Sequence, residues 1–139
     1  MFEKILLAVD GSDHALHAAR KAAEMARTMH SEIHVLMVYD PIPLYLGEPN
    51  MQVVYVNRKS EADEVLNTAL KELGDLPGQV THEVIEGDAA TAIIDAAIAN
   101  KSDVIIMGSR GLGRLTGLLL GSTSQKVVAH APCPVLIVR

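Results

Sequence analysis

Five of the ten glycines of this 139-residue chain, Gly108, Gly111, Gly113, Gly117 and Gly121, fall within 14 residues, and Ser122, Thr123 and Ser124 follow directly. Glycine removes the Cβ that would hold a ligand away from backbone N–H groups, and a helix start adds unpaired donors and a positive dipole end. Together these features can cradle phosphate. Arg110 and Arg114 offer cationic contacts from the same segment, although two loop arginines also serve as plain solvated charge. Glycine-rich loops act as simple connectors too, and spacing alone leaves that alternative open. Two phosphate motifs are excluded. A P-loop needs Lys between its last Gly and the Ser/Thr, whereas Ser122 follows Gly121 directly, and a dinucleotide fingerprint should follow the first strand, where Asp10-Gly11-Ser12-Asp13 stands instead.

The other reactive side chains form no catalytic set. His14 and His17 are spaced i, i+3 near Asp10 and Asp13, but no third strong metal ligand is set by spacing, and the pair reads as solvated. His34, His82 and His130 read as structural. Cys133 lies between Pro132 and Pro134 with no histidine base near it in sequence, which suits a buried small hydrophobe better than a nucleophile. No residue is assigned as catalytic or as a metal ligand. Phosphoryl transfer needs a lysine, metal carboxylates and a positioning base, of which only fragments are visible, so slow phosphoryl transfer, to water or to Ser122 or Ser124, is the most this set supports.

Apolar runs alternating with segments of helical period must position these residues, and that alternation signals βαβ units around a parallel sheet. Five strands and four helices are predicted. Ile5 to Asp10 forms the first strand; Ser12 caps a helix whose Ala15, Ala19, Ala22, Ala26 and Met29 share a face. Ile33 to Tyr39 is the second strand, and Asp40 to Asn57, with Pro41, Pro43, Gly47 and Pro49, reads as a long loop. Ala62, Val65, Leu66, Ala69, Leu70 and Leu73 mark an amphipathic helix. Val80 to Glu86 alternates like an edge strand, and Asp88 caps a helix carrying Ala90, Ile93, Ile94, Ala97 and Ile98. Val104 to Met107 is unbroken apolar, so it joins the first and second strands in the middle of the sheet. Ser122-Thr123-Ser124-Gln125 has the form of a capping box opening a short helix with Val127 and Val128, and Val135 to Val138 is the last strand.

Composition narrows the class further. With 49% hydrophobic and 21% charged residues, the chain reads as one globular domain, residues 1–139. A net charge of −5 disfavours nucleic acid, and 3% aromatic content leaves few parts for a stacking platform or a flavin box. One cysteine points to a reducing, cytoplasmic setting. No segment approaches about 18 consecutive apolar residues and the start lacks a signal pattern, so no membrane insertion is expected.

Along its whole length the chain resembles the universal stress protein family. The nucleotide-binding branch of that family carries G-x2-G-x9-G-[ST], matched here by Gly108, Gly111, Gly121 and Ser122; Ile5-Leu6-Leu7-Ala8-Val9-Asp10-Gly11-Ser12 and Ala131-Pro132-Cys133-Pro134-Val135 are similar as well. The resemblance implies a Rossmann-like, adenine nucleotide alpha hydrolase-like fold: an open five-stranded parallel sheet in the order 3-2-1-4-5 with helices on both faces. That order puts Asp10 and Gly108 side by side at the switch point. It also implies ATP as ligand, with Mg²⁺ held mainly by the phosphates. Gly108, Gly111, Gly121 and Ser122 would hold ribose and phosphates, with Met107, Arg110, Gly113, Thr123 and Ser124 assisting. Backbone groups of Val38 would meet the adenine, Ala8 and Val9 would line it, and Asp10 would sit beside the nucleotide. Asp10 has a second reading as a partner of the first helix's dipole, and Ser122 a second reading as a helix cap.

The last strand is apolar although the implied order leaves it at an edge, which suggests a homodimer through Val135 to Val138; cover by Arg139 and a helix is the alternative. The expected function is that of a cytoplasmic ATP-binding regulator in stress response, acting on an unknown protein partner, with the loop after the second strand as a lid whose root Pro41 and Pro43 stiffen. The alternatives are a slow ATPase or autophosphorylating enzyme, a nucleotide-independent interaction module, and a cyclic nucleotide as the ligand.

Overall fold

The computed structural model describes residues 1–111 and 120–139. Its elements in chain order are β1 (Lys4–Val9), α1 (Asp13–Met29), β2 (Glu32–Tyr39), a 3₁₀ turn (Leu44–Leu46), α2 (Asn50–Leu73), β3 (Val80–Glu86), α3 (Ala89–Ala99), β4 (Val104–Gly108), α4 (Ser122–His130) and β5 (Val135–Val138). The strands form one parallel sheet in the order β3-β2-β1-β4-β5. β1, β2 and β4 are interior, in keeping with their apolar runs, that of β2 being interrupted at His34.

Side chains alternate across the sheet and make two cores. Ile5, Leu7 and Val9 pack with the alanines of α1 and with Leu66, Ala69 and Leu73 of α2, whereas Leu6 and Ala8 pack with Ile93 and Ala97 of α3 and Val127 of α4. Leu6, Leu7, Ile105 and Ile106 are fully buried, each such side chain contributing about 1.5–3 kcal/mol. The strand ends are therefore rigidly anchored. α1 approaches the sheet closely because its buried face, Ala15, Ala18, Ala19, Ala22, Ala23 and Ala26, is entirely alanine.

Several sequence expectations need correction. The segment read as loop to Asn57 is helical from Asn50. Val53, Val54, Tyr55 and Val56 blur the helical period, but no Pro or Gly occurs between Asn50 and Leu73, so the turns anchored by Ala62, Leu66, Ala69 and Leu73 propagate backwards. Met29 and Ile98, which helical spacing groups with the apolar faces of their helices, are exposed, since α1 ends at Met29 and the packed face of α3 turns away from Ile98; Val128 of α4 is exposed as well, with Val127 facing the core. Cys133 is half-buried, not buried, at the margin of the α3/α4 core. The capping box does not form either. Gly121 is the N-cap of α4, and Gln125 Nε2 donates to the Leu120 carbonyl instead of returning to the cap. Ser12 and Asp88 do cap α1 and α3, accepting from Ala15 N and Thr91 N. Among the described residues no helix is long and apolar enough to cross a membrane.

Candidate functional site

The ladder between β1 and β2 runs on to Val9↔Met37, while that between β1 and β4 stops at Leu7↔Ile106. Beyond that pair the two strands diverge at their carboxyl ends, where open α/β sheets bind ligands. A cleft of about 490 Å³ opens there, within the range of sites that take small molecules. Its chemistry is divided by element. Ala8 and Val9 of β1, Leu36 and Val38 of β2, Ala89 and Ile93 of α3, and Met107 of β4 make an apolar wall; Gly108, Arg110, Gly111, Gly121, Ser122, Thr123 and Ser124 make a polar one, with Asp10 beside it.

The turn after β1 engages mainly itself, with one longer contact, 3.4 Å, from Ser12 Oγ to the Arg110 carbonyl. Asp10 Oδ1 accepts from Ser12 N at 2.9 Å and from Ser12 Oγ at 2.5 Å, and the same hydroxyl oxygen accepts from Ala15 N at 3.2 Å to cap α1. Asp10 thus performs its structural role through one oxygen. The other, Oδ2, lies 3.0 Å from where a Cβ on Gly111 would stand, so absence of a side chain there keeps the glycine segment against the carboxylate.

The start of the segment after β4 is tied down by the rest of the fold. Ser109, buried, donates its N–H to the Val138 carbonyl at 2.8 Å and accepts at its carbonyl from Gly121 N at 2.7 Å; its hydroxyl lies 2.7 Å from His14 Nδ1. Ser124 Oγ donates to the Gly108 carbonyl at 2.9 Å. A Cβ on Gly108 would stand 2.8 Å from His14 Cβ and 3.1 Å from Ala15 N, so this glycine is what lets α1 lie against β4. The two serine and glycine contacts refine the expected roles. The Gly121 N–H and the Ser124 hydroxyl are already engaged, and Ser122 is not the cap. The N–H groups of the first turn of α4, Ser122 to Ser124, have no intrahelical acceptor, and these three residues are part of the cleft's polar wall. A nine-residue helix with its positive end there can meet an anion.

Twelve of the candidate residues, Ala8, Val9, Asp10, Val38, Met107, Gly108, Arg110, Gly111, Gly121, Ser122, Thr123 and Ser124, line this one cleft. Gly113, like Arg114 and Gly117, lies outside the described residues. Sequence reasoning missed Ala15, Leu36, Asp40, Ala89 and Ile93. Asp40 carried a signal in its place two residues beyond Val38; the approach of α3 over the mouth of the cleft carried none.

The remaining candidates lie elsewhere. His14 Nδ1 is engaged by Ser109 and His17 Nδ1 lies 2.8 Å from the Arg139 carbonyl oxygen, with the two rings stacked 6.4 Å apart. Among the described residues no group of three or more His, Cys, Asp or Glu is placed to hold a metal ion. Burial, with a smaller contribution from Asp103, pushes the Cys133 thiol above its ordinary range, away from the thiolate a nucleophile needs. Asp88 is held below the usual carboxylate range by the Thr91 N–H first and its hydroxyl second.

Comparison with known proteins bears on the same chain length. The model of the universal stress protein family matches residues 1–139. A universal stress protein of Thermus aquaticus is 47% identical over 139 residues, covering all of both chains. Among solved structures, a universal stress protein of Lactobacillus plantarum superposes with a TM-score of 0.88 at 25% identity, covering 99% of this chain and 98% of that one. A universal stress protein solved in complex with cAMP superposes with a TM-score of 0.65 at 25% identity, covering 99% and 96%.

Proposed function

The chain belongs to the universal stress protein family, and on that premise we propose that it binds an adenine nucleotide in the cleft between the ends of β1 and β4. The observation that carries this reading is the division of one cleft into an apolar wall and a wall of glycines and helix N–H groups. A nucleotide has the same division into a flat base and a charged phosphate tail. A structural relative solved with cAMP supports the class of ligand.

In this reading the base lies against Ala8, Val38, Ile93 and Met107, with the backbone of Val38, one residue past the last β1–β2 partner pair, meeting its edge. Asp10 and Gly108 flank the sugar. The phosphates lie against Gly111, Gly121 and the first turn of α4, where Arg110 adds positive charge. ATP is the proposed nucleotide, and the phosphates hold most of the coordination of a bound Mg²⁺. The protein acts as a nucleotide-dependent regulator in stress response in the cytoplasm. β5, apolar and at the sheet edge with Leu136 exposed, joins a second copy to make a homodimer.

Calorimetric titration of nucleotide-stripped protein with ATP and Mg²⁺, and with ADP, AMP and cAMP in parallel, tests the proposal. Saturable ATP binding that weakens at least about tenfold in Gly121→Val, with an unchanged circular dichroism spectrum, is the expected result. Absence of heat with every nucleotide would overturn it.

A further inference from the structure

The apolar wall contains one side chain able to read a base. Ala8, Leu36, Val38, Ile93 and Met107 carry no hydrogen-bonding oxygen or nitrogen beyond the backbone, whereas Asp40, just past the end of β2, brings a carboxylate to the same side of the cleft. Its backbone is held from three directions. The Tyr39 carbonyl accepts from Gly87 N at 2.9 Å, Arg58 Nη1 donates to the carbonyls of Asp40 at 2.8 Å and Pro41 at 2.7 Å, and Ile42 N donates to Glu86 Oε1 at 3.1 Å. The Asp40 carboxylate itself has no hydrogen-bond or ion-pair partner among the described residues, in contrast to Asp10, whose Oδ1 is doubly engaged. A pinned backbone that presents an unengaged acceptor beside an apolar slot is preorganised for a donor.

We infer that Asp40 determines which purine the cleft accepts, an inference that rests on the nucleotide reading above. A carboxylate only accepts. Adenine carries a donating amino group at position 6, and guanine and hypoxanthine carry an accepting oxygen there. Facing position 6, Asp40 gains a charge-assisted hydrogen bond with adenine and meets the lone pairs of the carbonyl oxygen of a 6-oxopurine. Facing position 1 it would instead accept from the N1–H of the 6-oxopurine, and the wild type would then prefer ITP, which overturns the inference. Selection works by repulsion as well as attraction.

Affinities of ATP and ITP, measured by calorimetry for the wild type, Asp40→Asn and Asp40→Ala, test this. ITP differs from ATP by its 6-oxo group and the N1–H that accompanies it, without the extra 2-amino group of guanine. The wild type is expected to prefer ATP by about tenfold or more, the scale of a hydrogen bond to a charged group. Asp40→Asn, whose amide can both donate and accept, should bring the two within about threefold, and Asp40→Ala should weaken ATP while leaving ITP little changed. Asp40 is exposed, so both variants retain the fold, which circular dichroism checks. A wild type that binds ATP and ITP alike, or a preference that survives in Asp40→Asn, would overturn the role of Asp40 while leaving the nucleotide reading intact. A wild type that binds neither would overturn both.

Discussion

Two turns meet at the switch point of the sheet, one after β1 and one after β4, and they are built on opposite plans. Asp10-Gly11-Ser12 engages its own polar groups, carboxylate to hydroxyl and N–H, hydroxyl to the first turn of α1. After β4, Gly108 and Ser109 are fastened to α1, α4 and β5, but the wall that follows consists of Gly111 and Gly121, which have no side chain, and the start of α4, whose first N–H groups have no intrahelical acceptor. The difference teaches that glycines in one motif have separate duties. Gly108 is required by packing and Gly121 by access: a Cβ on Gly121 meets nothing closer than 3.4 Å, from the Arg110 Cα.

The largest expected effect is at Gly108. Gly108→Ala forces α1 off β4 and should cost about 1–3 kcal/mol in urea unfolding, whatever the ligand. If it proves silent, the distinction between packing and access glycines fails. Ser12→Ala comes next, with a loss of about 1 kcal/mol from the cap, while nucleotide affinity in the same variant stays close to that of the wild type. A parallel fall in affinity would show that the first turn is part of the ligand wall and not only its frame. Gly121→Ala should change stability by less than about 0.5 kcal/mol, since its backbone is extended and the added methyl finds ordinary contacts, yet weaken ATP binding several-fold by standing in the cleft.

Smaller effects lie away from the cleft. Asp88 has a native pKa below its unfolded value, so its contribution is present above the ordinary aspartate range and is lost as pH falls through the native value. Acid titration of stability should therefore be shallower for Asp88→Asn than for the wild type. Cys133, its thiol raised by burial, should react with iodoacetamide at pH 7 more slowly than a free cysteine, with little consequence for the fold.

Much of this architecture is legible residue by residue. Unbroken apolar runs at Ile5 and Val104, and the run from Ile33 that His34 alone interrupts before Tyr39, identify interior strands because a sheet covered on both faces buries side chains on both sides of a strand. Ser12 and Asp88 announce helix starts because a short oxygen-bearing side chain satisfies a first-turn N–H. Ser122 deceives for the same reason: the pattern of a cap is local, but Gly121 takes the position because its N–H must reach the Ser109 carbonyl. The extension of α2 back to Asn50 is likewise decided by an anchor 12 residues away at Ala62.

The sequence by itself determined the alternation of strands and helices, the glycine cluster and its neighbouring helix start, because periodicity and backbone freedom are properties of short stretches. Only the tertiary structure decided that Gly121 N–H and Ser124 Oγ are engaged within the protein, that α3 lends Ala89 and Ile93 to the cleft, and that Asp40 stands beside Val38 on a backbone held by Arg58 and Glu86. Those facts depend on which distant groups compete for each donor and acceptor. Competition of that kind exists only once the chain has closed on itself.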